Sequence, residues 1–228
     1  MPNYRMRSAG KSGEVLLYDE IGDGLFGGIG AKQFAEDLNS LGRIDSLNVR
    51  INSPGGDVFQ GLAIYNTLQR HPARVVVDVD GMALSIASII AMAGDEIRIA
   101  KNAMMMIHEP YGGIYGTAED MRKQADLMDQ VRGNLVDTYV DRTQQSKGKV
   151  SDMMAAETWM TAADAVELGF ADQVTEDLAI AAHVDPSRFK NVPRALRSAA
   201  GRPRMDLVRA RLAAMDRRTQ TICRFPRQ

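Results

Sequence analysis

The fold is decided by the stretch RVVVDVDGMALSIASIIAMA, residues 74–93. Its β-branched beginning, residues 74–80, predicts a buried strand, the small residues 81–84 predict a turn, and residues 85–93 predict a helix. Ser85 therefore lies at a strand-to-helix turn, where the backbone N–H groups and the positive end of the helix dipole stabilise nearby negative charge. Such a serine is a candidate nucleophile for acyl transfer. It is equally a residue that caps helices, and the flanking glycines of a full nucleophile elbow are absent.

Length and composition bound the possible classes of protein. A chain of 228 residues with 45% hydrophobic residues is long enough for one substantial core, or one core with an appendage. Its longest apolar stretch, residues 86–93, is too short to span a bilayer, and no charged-then-apolar leader opens the sequence. We therefore expect a cytoplasmic protein with no membrane association. Cys223 is the only cysteine, which excludes an internal disulfide and a cysteine-cluster metal site, and we expect no metal and no cofactor.

The charge is divided unevenly along the chain. Residues 186–228 contain 12 basic residues against Asp206 and Asp216, a net charge of +10. Because the whole chain carries −1, residues 1–185 carry −11. We place a domain boundary between residues 1–175, which hold the structural signals, and a basic, partly helical or disordered tail at 176–228.

Periodicity along the first part predicts alternating strands and helices. The strands are expected at 14–18, 46–52, 74–80, 96–100 and 104–107, and the helices at 31–41, 58–69 and 85–93. Two capping boxes, Thr117 with Asp120 and Thr161 with Asp164, predict a long helix to about Gln145 and a short helix closed by Gly169. One apolar face of the long helix is formed by Met121, Ala125, Met128, Val131, Leu135 and Tyr139. This order predicts an α/β domain with parallel strands linked by crossover helices.

Two further segments could support catalysis by Ser85. Of the three histidines, His71 lies in a polar turn, His183 in a weakly patterned region, and only His108 ends an apolar strand beside a glycine-rich loop. His108 is therefore the best candidate for a general base, although a histidine at a strand end is also a common structural residue. Gly55 and Gly56 follow another strand, and paired glycines allow backbone N–H groups to point at an oxyanion. An ordinary turn with Asp57 as the helix N-cap explains the same residues.

Taken together, three motifs resemble the Clp peptidase family: Ile51-Asn52-Ser53-Pro54-Gly55-Gly56, the Gly81-x-x-x-Ser85 turn and Met106-Ile107-His108-Glu109-Pro110. The resemblance covers about residues 48–172. It implies an α/β fold of the spiral type that Clp peptidases share with crotonases, built from β-β-α units, with a long handle helix and here a basic C-terminal extension.

The resemblance also assigns roles to residues. Ser85 would be the nucleophile and His108 its base, and the N–H groups of Gly55 and Ile86 would form the oxyanion hole. The family's third catalytic residue is usually an aspartate, and this chain has Glu157 there, 49 residues after His108. Asp152 and Asp164 are nearby alternatives. An extended peptide would bind between two backbone segments, Gly56-Asp57-Val58 and the loop that contains Gly112 and Gly113.

The resemblance further implies a polypeptide substrate and a homo-oligomer, as a heptameric ring or double ring. The beginning of the chain, the helix at 31–41 and the arginine-rich tail resemble phage and prophage head-maturation proteases, which act inside the procapsid on coat or scaffold protein. A tail helix with Met205, Val208, Leu212 and Met215 on one face would suit docking to such a partner, and a solvated tail is the alternative. Nucleic acid is not expected as a partner.

Three alternatives remain. A housekeeping Clp subunit would work with an AAA+ ATPase. A catalytically silent subunit of a ring or capsid would need no triad. This alternative stays open because Glu157 stands where the family usually has an aspartate. An acyl-CoA enzyme of the crotonase type would share the architecture, but it would not need both Ser85 and His108.

Overall fold

The structure, a computed structural model, describes residues 4–23, 28–176 and 189–193. These residues, except 192 and 193, belong to one compact unit. No helix in this described part is long and apolar enough to cross a membrane. The tail residues 194–228, with the expected tail helix and its apolar face, lie outside the described residues, as does His183. The boundary expected at 175 therefore stays a prediction.

The described chain has strands and helices near the predicted positions, together with elements that the sequence analysis did not predict, among them the strand at 4–9 and the helix at 147–155. In order, they are β1 (Tyr4–Ala9), β2 (Ser12–Leu17), α1 (Ala31–Ser40), β3 (Ser46–Ser53), α2 (Val58–Gln69), β4 (Arg74–Leu84), α3 (Ile86–Ala91), β5 (Glu96–Ala100), β6 (Met104–Ile107), α4 (Ala118–Thr143), α5 (Lys147–Ala155), β7 (Thr158–Thr161), α6 (Ala162–Glu167) and β8 (Gln173–Thr175).

The strands form one sheet with the order β1-β2-β3-β4-β5-β8. Along this path, all neighbours from β2 to β8 are parallel, and the edge strand β1 is antiparallel to β2. β6 lies off this path, parallel to the end of β4, and β7 pairs with it in antiparallel orientation. The predicted α/β class with parallel strands and crossover helices is confirmed.

The predicted end of β4 was wrong by four residues. Gly81 to Leu84 do not turn the chain but continue the strand, and all four are buried. They extend because Met82, Ala83 and Leu84 pair with Met104, Met105 and Met106 of β6. Strand β4 thus pairs first with β5 and then with β6, and its last residue comes directly before Ser85.

The long helix α4 has both predicted ends, with Thr117 and Asp120 forming the capping box and Gln144 ending the helix in the left-handed conformation. Its predicted apolar face packs on the core only near the C-terminal end, where Leu135 and Tyr139 are buried. Towards the N-terminus, Met121 is 51% exposed and Leu127 is 42% exposed. The first half of α4 therefore carries an uncovered apolar surface.

Gly61 lets helix α2 pack closely against α3. A Cβ atom added at Gly61 would lie 2.2 Å from Cγ1 of Ile86, the residue after Ser85. Because Ile86 is buried and begins α3, it has no open space into which to move.

We predict that Gly61→Val lowers the free energy of unfolding by about 2 kcal/mol, because a branched side chain overpacks this contact. Chemical denaturation measures the change. Gly133→Ala, in an open position of α4, is the matched control and is expected to be neutral or stabilising by up to about 1 kcal/mol. Unchanged stability of Gly61→Val would contradict the proposed close packing.

Candidate active site

Ser85 is held in a strained backbone conformation at the end of β4. Its φ of 55° and ψ of −129° are rare for a residue with a side chain, and its N–H donates to the carbonyl of Met106 at 2.9 Å. Such a conformation costs of order 1–3 kcal/mol and is found mainly at functional sites. Ser85 is the N-cap residue of α3, but its side chain makes no capping hydrogen bond. Its hydroxyl is thus left for another partner.

That partner is His108. The Nε2 atom of His108 lies 2.7 Å from Oγ of Ser85. His108 follows β6, and the pairing of Leu84 with Met106 brings the two strand ends side by side. The imidazole ring lies near two aromatic rings, with centroids 5.6 Å away at Tyr111 and 6.0 Å at Phe189. A neutral imidazole in this position can take the proton of the hydroxyl group.

Two residues that the sequence did not indicate, Ser88 and Tyr139, hold the Ser85 backbone through a chain of hydrogen bonds. The hydroxyl of Ser88, which is fully buried, donates to the carbonyl of Ser85 at 2.6 Å. Tyr139 of helix α4 lies 2.8 Å from the same Ser88 oxygen, and burial raises the pKa of its phenol group. Since the single Ser88 proton is given to Ser85, the phenol donates to Ser88. This chain of hydrogen bonds fixes the peptide on the C-terminal side of Ser85.

The glycine turn after β3 lies against Ser85. A Cβ atom added at Gly55, whose φ is +89°, would lie 2.7 Å from the Cβ atom of Ser85 and 3.2 Å from the nitrogen of Ile86. The turn is fixed by Ile21, which donates to the Gly55 carbonyl at 2.9 Å and accepts from the Asp57 N–H at 2.8 Å. Only residues without side chains permit this approach.

The two glycine N–H groups differ in their surroundings. The N–H of Gly55 donates to Oγ of Ser53 at 3.2 Å, and that buried hydroxyl donates to the carbonyl of Asp19 at 2.6 Å. Within the described residues, the N–H groups of Gly56 and Ile86 have no hydrogen-bond partner. No pattern in the sequence indicates that the Ser53 hydroxyl would accept a hydrogen bond from the N–H of Gly55.

Glu157 is 7% exposed and, like Ser85, has a positive φ, of 50°. Its carboxylate accepts three hydrogen bonds: from the indole of Trp159 at 3.2 Å, from the N–H of Lys190 at 2.9 Å and from the N–H of Asn191 at 2.6 Å. Burial by itself would raise the pKa of Glu157. The two backbone N–H groups, the indole and the attraction of His108 outweigh burial and lower the pKa below its usual value of 4.5.

The other candidate residues lie elsewhere or have other partners. Asp164 accepts from the N–H of Thr161 at 2.9 Å as part of a capping box, and Asp152 is an exposed residue of α5. His71 accepts from the N–H of Ala73 at 3.2 Å in the turn before β4. The structure thus brings Ser85 and His108 into contact, and attraction to His108 contributes to the lowered pKa of Glu157.

The two predicted peptide-binding segments meet at one apolar pocket of about 90 Å³. Val58 and Gly112 both line it, and the side chain of Phe59, which is 61% exposed, lies at the same pocket. Asp57 instead caps α2, accepting from the N–H of Gln60 at 2.8 Å. Gly113 has open space around its Cα atom. The remaining lining residues are Pro110, Tyr111, Gln124, Leu127, Met128 and Val131.

A hydroxyl hydrogen-bonded to an imidazole, near backbone amides that have no partner among the described residues, is an arrangement suited to acyl transfer. Residues 6–177 match the model of the family described as Clp protease. The chain belongs to the Clp protease family.

Individual Clp proteins show how far the similarity extends. The chain is 35% identical over 161 residues to "ATP-dependent Clp protease proteolytic subunit 1" of Leifsonia xyli, covering 67% of this chain and 80% of that protein. It is 36% identical over 141 residues to "ATP-dependent Clp protease proteolytic subunit" of Deinococcus radiodurans, covering 61% and 69%. The fold is similar to that of a ClpP1 mutant from Listeria monocytogenes, with a TM-score of 0.64 at 24% identity over 72% of this chain and 91% of that one. The expected Clp-type fold is thus confirmed.

The lowered pKa of Glu157 makes a testable contribution to stability. A carboxyl group whose pKa is lower in the folded state stabilises the fold above its unfolded pKa, and the contribution is lost as the pH falls through the folded pKa. We predict that Glu157→Gln is less stable than the wild type at pH 7, and that the difference shrinks as the pH falls below about 4.5. Urea denaturation at a series of pH values measures it. A difference independent of pH would contradict the charged, hydrogen-bonded carboxylate.

Proposed function

We propose that this Clp family member is a serine endopeptidase that cleaves peptide bonds through an acyl-enzyme intermediate. The observation that carries the proposal is the 2.7 Å separation of Ser85 Oγ and His108 Nε2. The hydroxyl of serine is a poor nucleophile until a base takes its proton, and this geometry supplies the base.

In the first half-reaction, His108 takes the proton of the Ser85 hydroxyl while Oγ bonds to the carbonyl carbon of the peptide. The tetrahedral intermediate collapses when the carbon–nitrogen bond breaks, and the imidazolium gives its proton to the departing amine. In the second half-reaction, His108 activates a water molecule that hydrolyses the Ser85 ester. The proton then returns to Oγ of Ser85, and the enzyme is regenerated.

The oxyanion of the tetrahedral intermediate requires N–H donors. Ile86 is one proposed donor, because its N–H is unpaired among the described residues and belongs to the residue directly after the nucleophile. The family resemblance assigns Gly55 as the second donor, but the hydrogen bond from Gly55 to Ser53 favours Gly56, whose N–H is likewise unpaired in the described part of the chain. One such donor contributes about 3 kcal/mol to stabilisation of the transition state.

Glu157 is proposed as the third member of the triad. Its lowered pKa keeps the carboxylate charged at neutral pH, and its attraction to His108 stabilises the imidazolium that forms during the reaction. The backbone of Glu157 lies in the left-handed region, with a φ of 50°. Ser85 and Glu157 are two of the three non-glycine residues with positive φ in the described part of the chain.

The substrate is proposed to be an extended polypeptide held by backbone hydrogen bonds along residues 56–58 and 111–114. The apolar pocket at Val58 and Gly112 would take one of its apolar side chains. The exposed apolar face of α4 supports a homo-oligomer in which a second copy covers it, and we propose a ring, with a heptamer as the expected size.

Two biological settings fit this chemistry. The beginning of the chain and the arginine-rich tail favour a head-maturation protease of a phage or prophage, acting on coat or scaffold protein in the cytoplasm of a bacterial host and within the procapsid. The relatives are named as proteolytic subunits of ATP-dependent proteases, and these names favour a housekeeping setting with an AAA+ ATPase at least as well. Cleavage of a co-expressed coat or scaffold protein without ATP supports the first setting, and a requirement for an ATPase and ATP supports the second.

We predict that a fluorophosphonate probe labels the wild type at Ser85, and that both Ser85→Ala and His108→Ala lose labelling by at least about a hundredfold. Mass spectrometry of the labelled peptide identifies the site. Ser151→Ala, in helix α5, is the matched serine control and should label like the wild type.

Absence of labelling in a folded wild-type oligomer would contradict the proposal and would support the catalytically silent subunit. If His108→Ala still labels at Ser85 at the full rate, the imidazole is not the base that activates the Ser85 hydroxyl.

A further inference from the structure

The segment Phe189–Asn191, which precedes most of the basic tail, lies against the candidate catalytic residues. Two of its backbone N–H groups, those of Lys190 and Asn191, donate to the two oxygens of the Glu157 carboxylate at 2.9 Å and 2.6 Å. The side-chain amide of Asn191 also donates to the carbonyl of Ala156 at 2.9 Å. The segment therefore binds both the side chain and the adjoining backbone of Glu157.

The aromatic ring of Phe189 brings the segment next to His108, the proposed base. It is 9% exposed, its centroid lies 5.6 Å from the indole of Trp159 in an edge arrangement, and it lies 6.0 Å from the imidazole of His108. Trp159 in turn donates to Glu157, so the Phe189 ring contacts both the imidazole and the indole that binds the carboxylate. The other aromatic neighbour of His108, Tyr111, belongs to the apolar pocket proposed to take substrate.

We infer that Phe189–Asn191 is a positioning segment that orients the Glu157 carboxylate, and through it the His108 imidazole, for proton transfer with Ser85. This role of the segment rests on the proposed function.

The flexibility of a glutamate side chain explains why further donors are needed to fix the orientation of its carboxylate. A glutamate side chain has one more rotatable bond than an aspartate, so it needs more contacts to hold its carboxylate in one orientation. A carboxylate offers about four acceptor positions, and three donors bind the Glu157 carboxylate: two backbone N–H groups of this segment and the indole of Trp159. Hydrogen bonds to a charged acceptor are the strong ones, so the two backbone N–H groups fix the carboxylate firmly without adding a competing charge.

The test removes one N–H group without touching the catalytic side chains. Lys190→Pro deletes the donor to Glu157, and Lys190→Ala keeps it and serves as the matched control. Since the segment acts on orientation and not on substrate binding, we expect Lys190→Pro to lower kcat about tenfold with KM unchanged, and Lys190→Ala to stay within about twofold of the wild type. In a Glu157→Gln background, Lys190→Pro should cause no further loss, because the two changes act through the same carboxylate.

A wild-type kcat for Lys190→Pro, or a tenfold loss that is repeated in the Glu157→Gln background, would overturn the inference. Titration of the Glu157 carboxyl group by NMR decides the matter independently of activity. The pKa should rise in Lys190→Pro and stay in place in Lys190→Ala, and an unchanged pKa in both would also overturn it. If the wild type fails to label at Ser85, the proposed function fails, while this titration still shows whether the segment holds the carboxylate.

Discussion

The pairing of β4 with β6 is the constraint on which the candidate active site depends. Because Leu84 lies opposite Met106, the residues that follow the two strands, Ser85 and His108, are brought to a separation of 2.7 Å between their side chains. A shift of one strand by one residue would turn its side chains to the other face of the sheet and separate the two groups. The buried, parallel sheet therefore does more than form a core: it sets the separation of the two groups between which we propose that a proton moves.

Strain and buried polar contacts maintain this geometry around the sheet. Ser85 and Glu157 both adopt positive φ angles, and each is fixed by hydrogen bonds from residues that are distant in sequence. The Tyr139 phenol acts on Ser85 through Ser88, and residues 190 and 191 act on Glu157. In both cases a strained residue is held by partners that gain hydrogen bonds, so the unfavourable backbone conformation is offset locally.

Much of this arrangement could be predicted from sequence because its signals are local. The strand-to-helix change at Ser85, the glycine pair and the two capping boxes depend on neighbouring residues. The extension of β4 through Gly81 to Leu84 could not be predicted, because a partner strand some 20 residues later, and not the small residues themselves, determines it. The same holds for Ser88 with Tyr139, 51 residues apart, and for Glu157 with Asn191, 34 residues apart. Contacts between residues so far apart produce no periodic pattern in the sequence from which they could be predicted.

A crystal structure of the protein after reaction with a peptidyl phosphonate shows whether one hydroxyl, one imidazole and backbone amides surround a single carbonyl. We expect phosphorus bonded to Oγ of Ser85, the phosphoryl oxygen within about 3 Å of the N–H of Ile86 and of a glycine amide, and Nε2 of His108 beside the adduct. An adduct on another residue, or a phosphoryl oxygen facing solvent with the imidazole turned away, would show that these groups do not form an active site.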